Sequence, residues 1–439
     1  MIAKIISCLI ISMGFMSMDA QEIDTRRMDD FLEHLHAHDK VMGSLAVMQG
    51  DSLVYTGAMG MGNIDKQYEA TVDTRYKIGS ISKTFTAVIL MRLVEEERVA
   101  LSTTLDRYHP QITNADQISL EMLLRHRSGI PEYLLHISEG ELSAPVSREA
   151  MLQKIYDMES DFDPDSKYVY SNSNYYLLAD ILEKVSGESY ESLISDLVTP
   201  LKLSSTWSGQ TELSEKDAVS YMNVGSWVPA AKWHMSWALG AGDVSSTASE
   251  VCRFMYALQT GQIVGETTLT DMNEMVDGYG YGVFSIPYGD ARGYGHNGGI
   301  ENFRSCSYHF PDLDLTLGLL INANDMVFND ILIGILAIAT GADYVFPDFK
   351  EKEVVVLPRE KLVPFEGNYV SETFPLDIKV FLEEDTLMAQ ATGQGPFALS
   401  AVGDNEFVFT LAGIEMSFDQ ESKSLTLKQA GMTNTFVKE

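Results

Sequence analysis

The order of the predicted secondary-structure elements constrains the fold of this 439-residue chain more than any other feature. Alternating apolar residues at 44–48 and 52–56 predict a β-hairpin around Gly50. Between residues 82 and 252 the apolar spacing is mostly helical, and strand patterns return only after residue 280. Because strands stand at both ends of a long helical insert, we predict one mixed α+β domain whose sheet joins the two ends of the segment.

Helical periodicity is clearest at residues 84–98 and 175–186, where apolar residues recur about every 3.6 positions. Gly187 follows the second segment directly, at the position where glycine commonly ends a helix. We also expect an amphipathic opening helix at 24–40 and an apolar helix packed on a sheet at 326–340, which is shorter than the roughly twenty residues of a membrane span. Strands are expected after the insert at 281–287, 294–297, 303–310 and 315–321.

The pattern changes near residue 340. Residues 341–360 carry charges together with Pro347 and Pro358, and we expect them to form a linker. Residues 361–439 consist of short alternating segments separated by acidic turns, a pattern typical of a small antiparallel barrel or sandwich. The strands of this tail are expected at 377–382, 386–391, 406–410, 415–419 and 424–429.

Residues 1–20 predict a secretory signal peptide. Lys4 precedes an apolar run at 5–15, and the small Ala20 precedes a polar stretch. Cys8 does not indicate a lipoprotein, because the apolar run continues beyond it. We therefore expect residues 21–340 to form the main domain of a secreted or periplasmic protein.

The charge balance excludes whole classes of partner. The chain has 31 basic and 63 acidic residues, a net charge of −32. Such a chain repels nucleic-acid phosphates and anionic lipid heads, so we expect neither as a partner. Three cysteines are too few for a disulfide scaffold. Cys252 and Cys306, the two outside the signal peptide, are interpreted as separate buried thiols, with a disulfide bond as the alternative.

Ser80 and Lys83 lie in YKIGSISKT, residues 76–84, at the predicted start of a helix. Three residues make about one helical turn, so the lysine amine lies beside the serine hydroxyl. A serine hydroxyl becomes an effective nucleophile when a neighbouring base takes its proton, and a helix start offers free N–H groups to an oxyanion. S-x-x-K alone is weak evidence, and the alternative is a helix-capping Ser80 with a solvated Lys83.

Tyr170 and Asn172 lie just before another predicted helix. A tyrosine near a lysine ammonium loses its proton more readily and can relay it to a leaving group, and an asparagine can hold a substrate amide. The same Y-x-N pattern occurs at residues 221–223, in a Gly- and Trp-containing stretch without such a context.

His296, Asn297, Gly298 and Gly299 follow one another in a predicted strand. The two glycines allow a substrate carbonyl to approach the N–H groups at the strand edge. The alternative for His296 is a histidine in a turn or in the core.

In this order, the segments resemble the class C β-lactamase-related serine hydrolases, which include penicillin-binding proteins, D-alanyl-D-alanine carboxypeptidases, D-aminopeptidases and esterases. The resemblance covers roughly residues 25–340, and the tail is similar to the lipocalin-like C-terminal domain of some members. It implies a β-lactamase/DD-peptidase-like antiparallel sheet flanked by helices, with a helical insert domain and then a small antiparallel β-barrel. The segments that carry it are residues 73–96, 120–133, 170–187, 240–255 and 295–303.

The resemblance implies a role for each candidate residue. Ser80 would be acylated by the substrate. Lys83 would be the general base or would tune Tyr170, which would pass a proton to the leaving group. The implied catalytic residues are Ser80, Lys83, Tyr170 and His296, and the implied substrate-binding residues are Asn172, Asn297, Gly298 and Gly299. The N–H groups of Ser80 and Gly299 would form the oxyanion hole, and the chemistry needs neither a metal nor a cofactor.

Two departures from the family pattern bear on the substrate. His296 stands where true class C β-lactamases have lysine, which points away from β-lactamase activity and toward peptidase or esterase activity. Asn297 and Gly299 stand where the carboxypeptidase pattern has hydroxyl residues. Arg292 or Arg304 might instead pair with a substrate carboxylate, with a surface charge as the alternative.

We therefore expect a secreted serine hydrolase that acts through a Ser80 acyl-enzyme on amide or ester bonds. The expected substrate is a small D-amino-acid or peptidoglycan-type peptide, or an ester. The alternatives are a β-lactamase and a catalytically silent protein that binds peptidoglycan fragments. The alternating histidines at 34–38 are interpreted as a solvated helix face, and the aspartates at 161–165 lack the glycine and glutamate of a calcium loop.

Overall fold

The strands at the two ends of the helical insert join in one six-stranded sheet. The computed structural model describes residues 23–209, 212–350, 353–371, 374, 376–429 and 432–439, so the predicted signal peptide at 1–20 lies outside the described residues. The α-helices are α1 (Thr25–Ala37), α2 (Ser82–Glu95), α3 (Leu120–Leu124), α4 (Glu139–Leu142), α5 (Arg148–Tyr156), α6 (Asn172–Ser186), α7 (Tyr190–Val198), α8 (Ala248–Gln259), α9 (Glu266–Asn273), α10 (Phe328–Ala339) and α11 (Arg359–Leu362). The strands are β1 (Val41–Gln49), β2 (Ser52–Met59), β3 (Met61–Asn63), β4 (Tyr68–Glu69), β5 (Tyr76–Lys77), β6 (Trp207–Ser208), β7 (Tyr221–Asn223), β8 (Trp227–Pro229), β9 (Val244–Ser246), β10 (Phe284–Tyr288), β11 (Ala291–Ile300), β12 (Phe303–Phe310), β13 (Leu315–Asn324), β14 (Gly367–Val370), β15 (Ile378–Glu383), β16 (Thr386–Ala391), β17 (Phe397–Ala401), β18 (Glu406–Phe409), β19 (Ile414–Asp419), β20 (Ser424–Gln429) and β21 (Met432–Lys438).

The strand order in the main sheet is β10-β11-β12-β13-β1-β2. Strand β1, from before the insert, pairs antiparallel with β13, from after it, and with β2 on its other edge. The turn between β1 and β2 contains Gly50, with φ at 57°. The predictions of a hairpin here and of a sheet that joins both ends of the segment are confirmed.

The chain divides into two compact units. The sheet–helix unit comprises residues 41–286 and 291–324. The barrel unit comprises the described residues up to 40, together with 287–290 and those from 325 onward. Each unit has its own buried apolar cluster.

In the sheet–helix unit, α8 packs against β1, β12 and β13, while α2 packs against α6 and α7. Helix α2 is buried almost all the way round, with eleven of its fourteen residues buried, as expected for a helix without a polar face. Helix α6 ends at Gly187, whose φ of 81° lies in the left-handed region, so the predicted helix end is confirmed. The insert is less uniformly helical than predicted, because β5, β9 and β6 form a small sheet and β7 pairs with β8.

Cys252 and Cys306 are both buried and both free. Cys252 lies on α8 and Cys306 on β12. The structure therefore has the two separate buried thiols of the first interpretation rather than the alternative disulfide bond.

The barrel unit contains a closed barrel of eight strands, β14 to β21. Five of these strands were predicted, and β14, β17 and β21 were not. These three have weak apolar alternation, since β17 is built largely from small residues and β21 is rich in threonine and asparagine. Closure of the barrel leaves no unpaired strand edge, which explains why such weak strands are recruited.

Apolar side chains fill the barrel interior. Phe365, which is 1% exposed, lies with its ring centroid 5.2 Å from that of Phe407 and 4.7 Å from that of Phe418. In the same unit, α10 packs against α1, and a Cβ on Gly334 would lie 2.5 Å from the Phe31 ring. Across the described ranges, no helix combines the length and the apolar character needed to cross a bilayer.

We predict that Phe365→Ala destabilises the barrel by about 3–5 kcal/mol, the usual cost of truncating a buried phenylalanine. Hydrogen exchange of the barrel strands, followed by mass spectrometry, measures this loss directly. Val356→Ala is the matched control, because Val356 is 96% exposed. Equal exchange in the two variants would contradict the assignment of Phe365 to the barrel core.

Candidate active site

Ser80 lies in a single 3₁₀ turn, Gly79–Ile81, that leads directly into α2. Ser82 fixes this turn, because its hydroxyl donates to the Gly79 carbonyl at 2.7 Å and accepts from the Val244 N–H at 3.0 Å. Ser80 is therefore held at the N-terminal end of a buried helix, where unpaired backbone N–H groups favour negative charge.

Two glycines allow this turn to meet β11 backbone to backbone. Gly79 has a φ of +51°, and a Cβ built on it would lie 2.7 Å from the Gly299 nitrogen. A Cβ on Gly298 would lie 2.0 Å from the Ile78 carbonyl oxygen. Neither position has room for a side chain. The contact brings the residue before Ser80 against Gly299, as an oxyanion hole formed by Ser80 and Gly299 N–H groups requires.

Lys83 extends from the first turn of α2 into the core and is fully buried. Its Nζ lies 3.0 Å from Ser80 Oγ, 2.6 Å from Asn172 Oδ1 and 2.7 Å from the Ala241 carbonyl oxygen. The S-x-x-K spacing thus brings amine and hydroxyl together as predicted. The alternative of a solvated lysine does not hold.

Burial lowers the pKa of Lys83 to about 7, and the negative charge of Glu132 opposes part of this shift. The shift has this direction because removal from water disfavours the charged ammonium. Near neutral pH a large fraction of Lys83 is therefore an uncharged amine with a free lone pair. Such a group can accept the proton of Ser80 as that hydroxyl attacks.

Tyr170 is half-buried, and Lys83 Nζ lies 4.9 Å from the centroid of its ring. Burial raises the pKa of Tyr170 well above its usual value, although a hydrogen bond with the Ser80 side chain acts in the opposite direction. The expectation that Lys83 eases the deprotonation of Tyr170 is wrong, because desolvation outweighs that effect. Tyr170 therefore keeps its proton near neutral pH and is suited to donate it.

Asn172, the first residue of α6, connects Lys83 to a carboxylate. Its backbone N–H and its Nδ2 donate to Glu132 Oε2 at 2.6 and 2.8 Å. Because Asn172 Oδ1 accepts from Lys83, the orientation of its amide is fixed from both sides. Burial raises the pKa of Glu132, and the hydrogen bonds from Asn172 together with the nearby Lys83 charge oppose that rise.

The sequence analysis missed Glu132. It lies forty residues before Asn172, and no motif spacing connects the two. The available signal was its place near the end of the segment 120–133, which resembles the family.

His296 lies on β11 and is fully buried. Its Nδ1 contacts the carbonyl of Asn297, which can only accept, so Nδ1 carries the proton. Nε2 then accepts from the Tyr279 hydroxyl at 3.0 Å. Burial, helped by the charge of Lys83, lowers the pKa of His296 to about 3, so the ring is neutral at physiological pH. The predicted catalytic role of His296 stays a prediction.

His126 is a second buried histidine at the site that the sequence analysis missed. Its ring centroid lies 4.2 Å from that of Tyr170 and 4.7 Å from that of Tyr279. Its Nδ1 accepts from the Ser171 N–H at 3.1 Å. Burial and the charge of Lys83 hold the pKa of His126 well below its usual value. His126 is therefore a neutral ring that supports Tyr170.

The remaining predicted residues occupy different surroundings. The Asn297 side chain is exposed, and so is Arg292. Arg304 is half-buried and lies beside Gly299. The second Y-x-N tyrosine, Tyr221, is on β7, and its hydroxyl accepts from the Ile64 N–H at 2.8 Å.

Residues 28–339 match the model of the Beta-lactamase family. The chain belongs to the beta-lactamase family. A D-aminopeptidase from Brucella anthropi is 24% identical over 319 residues, 69% of this chain and 60% of that protein. A penicillin-binding protein of Bacillus subtilis (strain 168) is 23% identical over 452 residues, 94% of this chain and 98% of that protein.

Protein flp of Staphylococcus aureus (strain MW2) is 28% identical over 210 residues, 46% of this chain. The match spans 42% of the length of Protein flp, so this member of the beta-lactamase family covers less than half of that relative.

Solved structures of the beta-lactamase family fold are similar to this chain. The D-amino acid amidase from Ochrobactrum anthropi SV3, in complex with L-phenylalanine, gives a TM-score of 0.65 at 24% identity and covers 72% of this chain and 98% of its own. The octameric penicillin-binding protein homologue from Pyrococcus abyssi gives 0.66 at 22% identity, covering 94% and 99%. The predictions of a β-lactamase-like fold and of a β-lactamase-related serine hydrolase family are confirmed.

We predict that the rate of Ser80 acylation by a neutral activated ester rises with pH and levels off above about 7, because the rate follows the neutral fraction of Lys83. Stopped-flow acylation across this range measures the profile. Lys83→Gln should abolish the rising limb, since glutamine cannot take the proton. A profile that is flat through pH 7 would contradict Lys83 as the base.

We predict that Glu132→Gln moves this rising limb to lower pH. The carboxylate raises the pKa of Lys83, so its removal lets that pKa fall further. Glutamine keeps a side-chain oxygen for the Asn172 donors. Glu139→Gln, an exposed position on α4, is the matched control and should leave the limb in place. A shift to higher pH in Glu132→Gln would refute the proposed coupling.

Proposed function

We propose that this protein hydrolyses amide bonds of small amino-acid derivatives through an acyl-enzyme on Ser80. One observation carries the proposal: a buried Lys83 amine, with its pKa lowered to about 7, lies 3.0 Å from Ser80 Oγ. Tyr170 supplies a protonated hydroxyl, and the Gly79–Gly299 contact supports an oxyanion hole. Nucleophile, base, acid and oxyanion donors then lie within one site.

The proposed reaction has two halves. Ser80 Oγ attacks the carbonyl carbon while its proton passes to Lys83, and the N–H groups of Ser80 and Gly299 stabilise the oxyanion. The bond to the leaving group breaks as Tyr170 donates its proton to the departing atom, and Lys83 returns a proton to Tyr170. Water then attacks the acyl ester by the same route in reverse, which releases the acid and restores the Ser80 hydroxyl.

Glu132 supports a substrate with a free α-ammonium group. Its carboxylate is held at the site by Asn172, and an ammonium would gain a charge-assisted hydrogen bond there. Relatives of this chain include a D-aminopeptidase, and similar structures include a D-amino acid amidase. We therefore propose D-aminoacyl amides and short D-aminoacyl peptides as substrates, with esters of the same acyl groups also cleaved.

The same site argues against efficient β-lactam hydrolysis. His296 is neutral because its pKa is lowered to about 3, so it provides no permanent cation for the antibiotic carboxylate. The leader-like residues 1–20 support export, and we propose that the protein acts outside the cytoplasm.

A substrate panel tests the proposed function. We predict hydrolysis of D-aminoacyl p-nitroanilides, weaker hydrolysis of the L-forms and of N-acetylated D-forms, and little turnover of nitrocefin. Ser80→Ala should lower kcat by about 10⁴–10⁶-fold, the effect of removing a nucleophile. Intact-protein mass spectrometry should detect the acyl group on the peptide that contains Ser80.

The exposed serine variant Ser102→Ala is the control and should keep full activity. Hydrolysis that survives Ser80→Ala would overturn the acyl-enzyme. A preference for N-acetylated substrates would overturn the role of Glu132 while leaving the acyl-enzyme intact. Efficient nitrocefin turnover would favour the β-lactamase alternative.

A further inference from the structure

Arg304 lies on β12 directly opposite Gly299 of β11 in the antiparallel register. Residues directly opposite each other in such a pair project to the same face of the sheet. Gly299 has no side chain, and a Cβ built on it would lie 3.3 Å from Arg304 Nη1. The guanidinium therefore lies over the exposed face of the glycine whose N–H is assigned to the oxyanion hole.

This guanidinium has no acidic partner among the described residues. It is half-buried, and its side-chain hydrogen bond in that part of the chain runs from Nη1 to the Phe303 carbonyl at 2.9 Å. Burial lowers the pKa of Arg304. A guanidinium has five N–H donors, so most of its bonding capacity is available to a ligand.

The lack of an acidic partner is unusual in this chain. Acidic residues outnumber basic ones 63 to 31. Other arginines of the sheet–helix unit that are buried or partly buried do pair with carboxylates; examples are Arg75, Arg125, Arg127 and Arg148. An unpaired, partly desolvated charge is costly unless a ligand of opposite charge completes the pair.

We propose that Arg304 binds a carboxylate carried by the leaving group of the substrate. This rests on the proposed function, in which Glu132 binds the ammonium of the acyl part. Glu132 reaches the site through Asn172 on α6, whereas Arg304 reaches it through Gly299 on β11, so the two opposite charges approach Ser80 from different elements. A short peptide with free amino and carboxyl termini matches this arrangement.

The strength of the interaction follows from its geometry. A guanidinium offers two parallel N–H donors to a carboxylate, and such charge-assisted pairs are roughly twice as strong as neutral hydrogen bonds. Partial burial protects the pair from screening by salt. We therefore expect the carboxylate to increase kcat/KM by about 10- to 100-fold over an otherwise identical neutral leaving group.

Two thioesters with one acyl group test the proposal. Their leaving groups are mercaptoacetate and mercaptoacetamide, so only the carboxylate differs. The ratio of their kcat/KM values should be at least about 10 in the wild-type protein and fall to near 1 in Arg304→Gln. Arg304→Lys should restore part of the ratio, since lysine keeps the charge but not the paired donors. Arg292→Gln, an exposed arginine on β11, should leave the ratio unchanged.

A wild-type ratio near 1 overturns the proposal, and this measurement needs no variant to fold. An unchanged ratio in Arg304→Gln also overturns it. Because an activated thioester acylates serine hydrolases without a required α-ammonium, failure of the aminoacyl panel with a carboxylate preference intact would reject the proposed substrate while supporting Arg304. If neither thioester acylates Ser80, both the acyl-enzyme and the carboxylate subsite are rejected.

Discussion

The burial of the Lys83 amine is the interaction on which the rest of the site depends. Three oxygen atoms surround its Nζ, on Ser80, Asn172 and the Ala241 carbonyl. Each comes from a different stretch of chain, so the amine is desolvated only when these segments are assembled. Desolvation brings the pKa of Lys83 to about 7, and that shift turns a surface-type cation into a usable base.

Assembly of these segments follows from the way the sheet closes. Strand β1 pairs with β13, which brings the chain after the insert back beside its start. Strand β11 then passes against the turn that holds Ser80, and Gly79 and Gly298 permit a separation that no other residues allow. The oxyanion hole thus depends on a long-range backbone contact, which the local helix around Ser80 does not supply by itself.

Local patterns in the sequence predicted most of the elements but few of their partners. The hairpin, α2, the end of α6 at Gly187 and the pairing of Ser80 with Lys83 all follow from neighbours within a few residues. Glu132 and His126 were missed because their roles arise from contacts more than forty residues away with the segment at 170–174. The pKa of Tyr170 was mispredicted for a related reason, since burial is a property of the assembled core.

The distribution of charge around Ser80 connects catalysis to substrate choice. His126 and His296 are neutral because burial lowers both pKa values, and Lys83 is partly neutral for the same reason. Neutral rings and amines exert little attraction on a charged ligand. Long-range selection is then left to Glu132 and Arg304, one of each sign, and a zwitterionic substrate neutralises both together. The desolvation that makes Lys83 a base therefore also makes the flanking charges decisive for recognition.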